Sequence, residues 1–502
     1  MTGLIQLHSI RDISGLASLS AAVIGLCIIY AVGSVCYNVF FHPLAAYPGP
    51  KLAAASRIWY CFYALQGRVP FVLSELHKKY GDVIRIAPDE LSYTAVEGWN
   101  QIYGHRPGKP EITKDRLFYS TFASGPHSLI TADRSRHGHL RKQLSYGFSE
   151  KALRGQEHLI RSYADLVVDR LKATCKGGSA PVDMFFTFDT MGGLVFGEPF
   201  GCIENSDWHP LVRIVFDSVK FGTFVRCANH FPFLTMIVRS LAIPGDLKRR
   251  RKDQRRMTKE KTDYRKSLET ENADLISGLL KEDSGATDDE YRSTSETLII
   301  AGGETTATLL SGVTYYLLKN PNCMKRVVAE IRSSFTSADE INVVSVNKLN
   351  YLLACLNEAL RVYPPASDGF PRNTGPHTEM ICGKAVPPNT VIRMTQYATY
   401  HSPSNFVRPD EFLPERWLDE ENNKESEFSQ DKKSALQPFH VGPRNCLGRN
   451  LAYFEMRLLM AMLLWNFDME LLPESEDWID HPIYLLWEKP QLMVRLTPRS
   501  DI

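Results

Sequence analysis

No CxxC pair occurs in the 502-residue chain, although ten cysteines are present, at 27, 36, 61, 175, 202, 227, 323, 355, 382 and 446. Thiols scattered in this way argue against a structural zinc site and against a disulfide framework, and they fit a reducing compartment. There is no internal repeat and no low-complexity tract, which leaves out repeat arrays and unstructured arms. Charge of either sign is not in excess. With 58 Lys and Arg against 57 Asp and Glu, the net charge of +1 gives no general reason to expect nucleic acid or an acidic partner. A hydrophobic content of 44% and a charged content of 23% are those of an ordinary globular protein. Length alone would allow about three domains, or one large helical domain.

A local absence is more informative. From Ile13 to Pro50 there is no Asp, Glu, Lys or Arg. Within that stretch Leu16 to Tyr37, 22 mostly apolar residues, is long enough to cross a hydrocarbon layer, and Tyr30, Tyr37, Phe40 and Phe41 suit its interfaces. The run is too long for the core of a cleaved signal peptide, and only Arg11 stands before it. We therefore expect an amino-terminal segment (1–15), a membrane helix (16–37), a stiff, extended hinge (38–50) and a catalytic domain (51–502). Lys51 and Arg57 after the helix favour a cytosolic domain.

Along the domain, Phe71 to Tyr80 reads as a helix stopped by Gly81. Val83–Ala87 and Leu91–Thr94 read as a hairpin, which predicts a small sheet in an otherwise helical chain. Residues 105–135 lack periodicity and read as a functional loop. Apolar helix is expected through 181–224, around Asp189-Thr190-Met191-Gly192-Gly193-Leu194. The basic run Lys248 to Lys261 suits a solvated helix face, with an anionic bilayer surface as the alternative. It lacks the aromatic platform that nucleic acid would need. The expected class is mainly α with a small β-sheet region.

The richest stretch is Phe439-His440-Val441-Gly442-Pro443-Arg444-Asn445-Cys446-Leu447-Gly448-Arg449. One cysteine sits in a Gly/Pro turn, and the apolar period of Leu451, Phe454, Leu458, Met462 and Trp465 follows it. Cys446 thus belongs to a loop feeding a helix N-terminus, where orphan N–H groups and the helix dipole favour thiolate. Gly442 and Gly448 allow close backbone approach to a bulky partner. A thiolate there, beside Arg444, suits an axial ligand to haem iron with the arginine on a propionate.

Two further patterns stand upstream. The helical run Ser295–Leu318 contains Ala301-Gly302-Gly303-Glu304-Thr305-Thr306. Each mid-helix glycine costs about 1 kcal/mol relative to alanine. Thr305 can bond the carbonyl of residue 301 and loosen the helix, leaving room beside Ala301 for dioxygen. In Leu356–Pro365, Glu358 and Arg361 are three apart on a helix ended by Pro364. Tyr351, Cys355 and Val362 share the face of Glu358, so the pair should be partly buried.

Phe-x-x-Gly-x-Arg-x-Cys-x-Gly, complete here from Phe439 to Gly448, resembles the haem-binding signature of the cytochrome P-450 family. The segment at 301–306 resembles that family's Ala/Gly-Gly-x-Asp/Glu-Thr-Thr. Glu358-x-x-Arg361, with Arg416 in Pro414-Glu415-Arg416-Trp417, resembles its structural triad. The chain is similar to fungal membrane-bound members of secondary metabolism, such as isotrichodermin and averantin hydroxylases.

The resemblance implies the family's fold and haem b held by the Cys446 thiolate, with Phe439 and Ala301 beside it. Arg141, Arg372 and Arg444 are then the propionate cations. His137 stands where the family has Trp in Trp-x-x-x-Arg, and its ring keeps only one N–H to donate. Glu304 and Thr305 become the acid–alcohol pair that delivers protons. Phe118, Phe122, Leu129 and Phe370 face a small apolar substrate, with pocket segments at 105–135, 208–230 and 365–371. The implied activity is oxygenation of that substrate with O2, by hydroxylation or a related oxidation. Electrons come from a separate NADPH-cytochrome reductase, with cytochrome b5 as an optional second donor, at the endoplasmic reticulum membrane. The alternatives are a haem-thiolate isomerase or dehydratase that needs no reductase, and a non-enzymatic haem sensor or carrier.

Overall fold

The computed structural model of the chain describes residues 2–120, 128–183, 194–195, 210–231, 245–267, 275–418 and 426–500. Its first helix, α1 (Thr2–Cys36), runs through the uncharged stretch and starts earlier than residue 16. The part apolar enough to cross a membrane is Ser18–Phe41, and none of it is buried against the protein. A π-helical turn covers Tyr37–Phe41.

The Pro-rich segment that follows is not the extended spacer its composition suggests. Leu44 is fully buried. Ala45 N–H bonds His42 O (2.8 Å), Tyr47 N–H bonds Leu44 O (3.1 Å), and Arg85 N–H reaches Pro48 O (2.7 Å). One buried leucine and these bonds hold the segment as turns against the first strand.

Helices α2 (Ile58–Leu65) and α3 (Val69–Tyr80) lead into the hairpin β1 (Val83–Ala87) and β2 (Glu90–Tyr93). Helix α3 accommodates Pro70 in its first turn, where a missing N–H loses no bond, and ends at Gly81 with φ 95°. The aperiodic segment 105–135 holds β3 (Thr113–Lys114) and the one-turn α4 (Arg116–Tyr119), which Asp115 caps. Next come α5 (Arg134–Ser145), α6 (Glu157–Cys175), β4 (Pro181–Asp183) and α7 (Pro210–Asn229). Of the stretch 181–224 expected to be helical, Pro181–Asp183 is strand instead, and 184–193 and 196–209 lie outside the described residues. The basic run forms α8 (Gly245–Ser267), on which Arg249, Lys252, Arg256 and Lys259 are exposed.

The long α9 (Asp288–Lys319) starts at a capping box: Thr287 accepts from Glu290 N–H while the Glu290 side chain accepts from Thr287 N–H. Asp288, Asp289 and Glu290 complement its positive end and Lys319 its negative end. It packs with α10 (Pro321–Ser334), α11 (Asn350–Val362) and, after the strands below, α12 (Arg449–Asn466). Leu309, Val313 and Leu317 of α9 meet Leu352, Leu356 and Ala359 of α11 and Leu458 and Met462 of α12 in the main core.

The strands β5 (Arg372–Asn373), β6 (Glu379–Ile381), β7 (Lys384–Val386) and β8 (Val391–Met394) lie between α11 and α12, and β9 (Phe467–Leu471) and β10 (Met493–Pro498) close the chain. A five-stranded sheet runs β1-β2-β8-β5-β3. The expected hairpin is its edge, and β2 pairs in parallel with β8, almost three hundred residues on, Leu91 opposite Ile392. β5 joins β8 with Arg372 opposite Ile392, and β3 joins β5 with Lys114 opposite Arg372. That register sets two cations side by side and fixes the site. The class is mainly α with small sheets, as expected.

Candidate functional site

A short helical turn over Gly442–Arg444 precedes Cys446, and α12 begins three residues after it. The Cys446 N–H donates to Phe439 O at 2.8 Å, so the aromatic residue and the thiol close one loop. The Phe439 ring packs 5.1 Å from that of Tyr453. The room at Gly442 (φ 77°) serves the protein itself, since a Cβ there would lie 2.0 Å from Tyr103 O. At Gly448 a Cβ would stand 3.8 Å from Cys446 Sγ and 3.9 Å from Phe148. Cys446 is exposed, yet surrounding protein desolvates its sulfur. Burial pushes the thiol up, and the Gly448 N–H and Arg141 pull it down only in part. The expected preference for thiolate therefore does not come from the loop alone. Desolvation outweighs the N–H groups until a metal or another strong positive charge is present.

Around this loop lies a cluster of cations. Arg141, on α5, donates to Asn445 O (2.6 Å) and Asn445 Oδ1 (2.5 Å), which ties it to the residue before the cysteine. Arg444 is held by Glu111 through Nη2 (2.6 Å) and Nε (3.1 Å) and donates to Ala132 O (3.1 Å). Arg372 is buried, donates to Ile112 O at 3.3 Å, and leaves its Nε without a partner. Lys114 donates to Ile130 O and Ala132 O. Burial, then Arg444 and Arg372, pushes the Lys114 ammonium down to about 7. His137 is buried among these groups. Burial first, then Arg444, Lys114 and Arg141, lowers its ring to about 4, so it is a neutral imidazole at pH 7. Glu111 and, farther out, Asp133 are the carboxylates acting on this cluster among the described residues. Four cations thus face two carboxylates.

On α9, Thr305 Oγ1 donates to Ala301 O at 2.5 Å, the bond its spacing predicts. Ala301 is exposed and Thr305 half-buried on a helix otherwise almost wholly buried from Gly303 to Thr314. Glu304 projects elsewhere, since consecutive helical residues are about 100° apart. It is fully buried; Oε1 accepts from Lys489 Nζ and from Thr308 Oγ1 (3.1 Å), while Oε2 has no partner. Burial raises this carboxyl above its ordinary range against the pull of Lys489 and Thr308. The structure does not bring Glu304 into hydrogen bonding with Thr305.

A narrow cleft, partly open to solvent, is lined by Phe118, Thr223, Arg226, His230 and Pro371 among others. These residues come from all three segments expected to face substrate. Leu129 instead packs on the main core, Phe122 lies outside the described residues, and the Phe370 ring sits 5.8 Å from His440. Sequence reasoning missed Glu111, Lys114, Asn445 and Lys489. It also missed Glu455 on α12, a buried acid bonded to Thr306 Oγ1 at 3.4 Å. Asn445 carried a usable signal, its place inside the cysteine loop. The others are brought in only by distant pairings.

These features define a mainly helical class of protein built around one cysteine loop and a long, largely buried helix. The family described as cytochrome P450 matches residues 50–495. The chain is 42% identical over 485 residues to the cytochrome P450 monooxygenase astA of Talaromyces wortmannii, covering 95% of this chain and 97% of that relative. It is 45% identical over 491 residues to tpeC of Talaromyces stipitatus, a cytochrome P450 monooxygenase (95% and 94%). It is 38% identical over 509 residues to efuB of Hormonema carpetanum, also a cytochrome P450 monooxygenase (99% and 100%). The chain belongs to the cytochrome P450 family and is an oxidoreductase. Members of this family carry haem with a cysteine thiolate ligand.

Proposed function

We propose that this protein is a haem-thiolate monooxygenase that inserts one oxygen atom from O2 into an apolar small molecule, in a fungal secondary-metabolite pathway. The observation that carries the proposal is the charge surplus beside the cysteine loop. Arg141, Arg372 and Arg444, with Lys114 held down to about 7 beside them, outnumber Glu111 and Asp133, and Arg372 Nε is a buried donor without a partner among the described residues. Buried cations need anionic partners, and the propionates of haem b would supply them. Cys446 Sγ would hold the haem iron, with Phe439 closing the same loop and His137 offering a neutral N–H donor to the group. Bound haem iron supplies the activation of dioxygen for attack on a C–H bond.

The chain's own residues then divide the remaining work. Ala301 keeps α9 thin above the site, and Thr305 holds a hydroxyl there that can give or accept a proton. Glu304, raised by burial, is the proton source behind it; it must leave Lys489 to reach Thr305. An NADPH-dependent cytochrome reductase provides electrons. The apolar Ser18–Phe41 span is compatible with an anchor, which we assign to the endoplasmic reticulum with residues 51–502 as a cytosolic catalytic domain.

The test is a carbon-monoxide difference spectrum. We expect the wild type to show a thiolate-ligated haem band and Cys446→Ala to lose it; an identical band in both would reject the assignment. Thr305→Ala should keep the band while product per NADPH falls about a hundredfold, the lower end of the roughly 10²–10⁴-fold that proton-transfer groups contribute. Full coupling in that variant would remove Thr305 from the mechanism.

A further inference from the structure

Cys61 on α2 and Cys227 on α7 meet in the small apolar core that α2 and α3 share with β1. Both are buried, and they stand 166 positions apart in the chain. Cys61 Sγ lies 4.0 Å from Cys227 O, and Cys227 Sγ lies 4.0 Å from Cys61 O. This reciprocal arrangement sets the two side chains face to face, and the thiols hydrogen-bond one another. A single buried cysteine acts as a small apolar filler. Two in contact have a further capacity, because the second thiol can capture the first once it is oxidised.

The pair is polarised. The Cys61 S–H, then Arg226 and Arg57, hold the Cys227 sulfur below the ordinary thiol range against the effect of burial. The same hydrogen bond, then burial and the charge on Cys227, hold Cys61 above that range. Cys227 is therefore the acceptor and the nucleophile of the two, and Cys61 keeps its proton. Cys227 is also the one that lines the cleft described above, with Tyr60 and Ala64 of α2 beside it. That cleft is narrow and partly open to solvent. It admits water and molecules of similar size, and hydrogen peroxide is such a molecule.

We propose that Cys227 and Cys61 form a reversible oxidation site for small hydroperoxides, at which a disulfide closes between α7 and α2. The Cys227 thiolate attacks one peroxide oxygen, the O–O bond breaks, and the other oxygen leaves as water after taking up a proton. Cys227 is then a sulfenic acid. The Cys61 sulfur attacks it, the S–S bond forms, and the sulfenic oxygen leaves as a second water. Two thiols have given two electrons and two protons to one peroxide. A thiol reductant such as glutathione reverses the bridge by exchange. A bridge of this kind suits a reducing compartment, where disulfides are transient. While closed, it ties the helix that carries Thr223 and Arg226 of the cleft wall to α2.

The experiment uses purified full-length protein in detergent, treated with hydrogen peroxide, then alkylated with iodoacetamide in denaturant, digested and weighed by mass spectrometry. We expect the peptide that holds Cys61 joined to the one that holds Cys227, lighter by two hydrogens than the free pair and separated again by dithiothreitol. A pair held in contact needs no encounter, so this cross-link should exceed any other between cysteines by roughly tenfold. Cys61→Ser removes the resolving thiol, and dimedone should then label Cys227 as a sulfenic acid. Peroxide that leaves both thiols alkylatable in the wild type overturns the proposal. So does a cross-link that forms only when peroxide is added after unfolding, and so does a Cys61→Ser chain whose Cys227 takes up no dimedone.

Discussion

Glu304 and Glu455 are both buried acids beside threonines of α9, and they differ in what holds them. Glu304 has Lys489, a fixed cation. Glu455 has only Thr306, its Oε1 is unpartnered, and burial pushes its carboxyl up to about 8. In the folded protein it keeps a proton at pH 7 that the unfolded chain releases near pH 4.5. The folded state then binds more protons than the unfolded state between these limits, so stability from this site is full below about 4.5. It declines as pH rises and levels off above about 8. Glu455→Gln needs no proton. Urea unfolding should show the variant gaining on the wild type by roughly 3–5 kcal/mol between pH 5 and pH 8. A gap that does not change with pH would show Glu455 to be ionised in the fold. At this scale the sequence was legible where partners are close in the chain. Thr305 bonding Ala301 is an i→i−4 contact, but Lys489 bonding Glu304 spans 185 positions, and nothing local marks it.

Helix α11 carries a fully buried charge pair with many hydrogen-bond partners. Glu358 and Arg361 have fully buried side chains. Arg361 meets Glu358 through Nε (2.9 Å) and Nη2 (2.8 Å), and donates to Tyr400 O (2.9 Å), Pro409 O (2.5 Å) and Glu411 O (2.8 Å). Arg416 and Trp417 add bonds to Glu358 at 3.1 and 2.8 Å. The pair therefore clamps α11 itself to residues 400–417, on the chain segment that leads to Cys446. The i,i+3 spacing and the apolar face announced burial, which is complete where the sequence implied only part. Lysine cannot reproduce the guanidinium fork. Arg361→Lys should lower stability by about 3–5 kcal/mol, the range for breaking a buried pair. Thermal unfolding followed by loss of the haem band measures it, and an unchanged midpoint would contradict the clamp.

For the molecule as a whole, the span Ser18–Phe41 buries nothing against the rest, whereas the turns from Leu44 onward are part of the sheet's core. A chain lacking residues 1–36 should therefore move from the membrane pellet to the supernatant. Its carbon-monoxide band and its thermal midpoint should match those of the full chain. A truncated chain that loses the band would show that α1 supports the fold as well as the anchor.

The sequence by itself determined the family, the cysteine loop, the apolar amino-terminal run and the buried pair on α11. Each is written in neighbouring residues, because a loop, a helix face or a hydrophobic span is fixed by local spacing. Tertiary structure alone decided that Lys114 stands opposite Arg372, that Glu111 holds Arg444, and that Lys489 meets Glu304. Those follow from strand register and helix packing between distant segments, where burial rather than residue type sets what a charge must find.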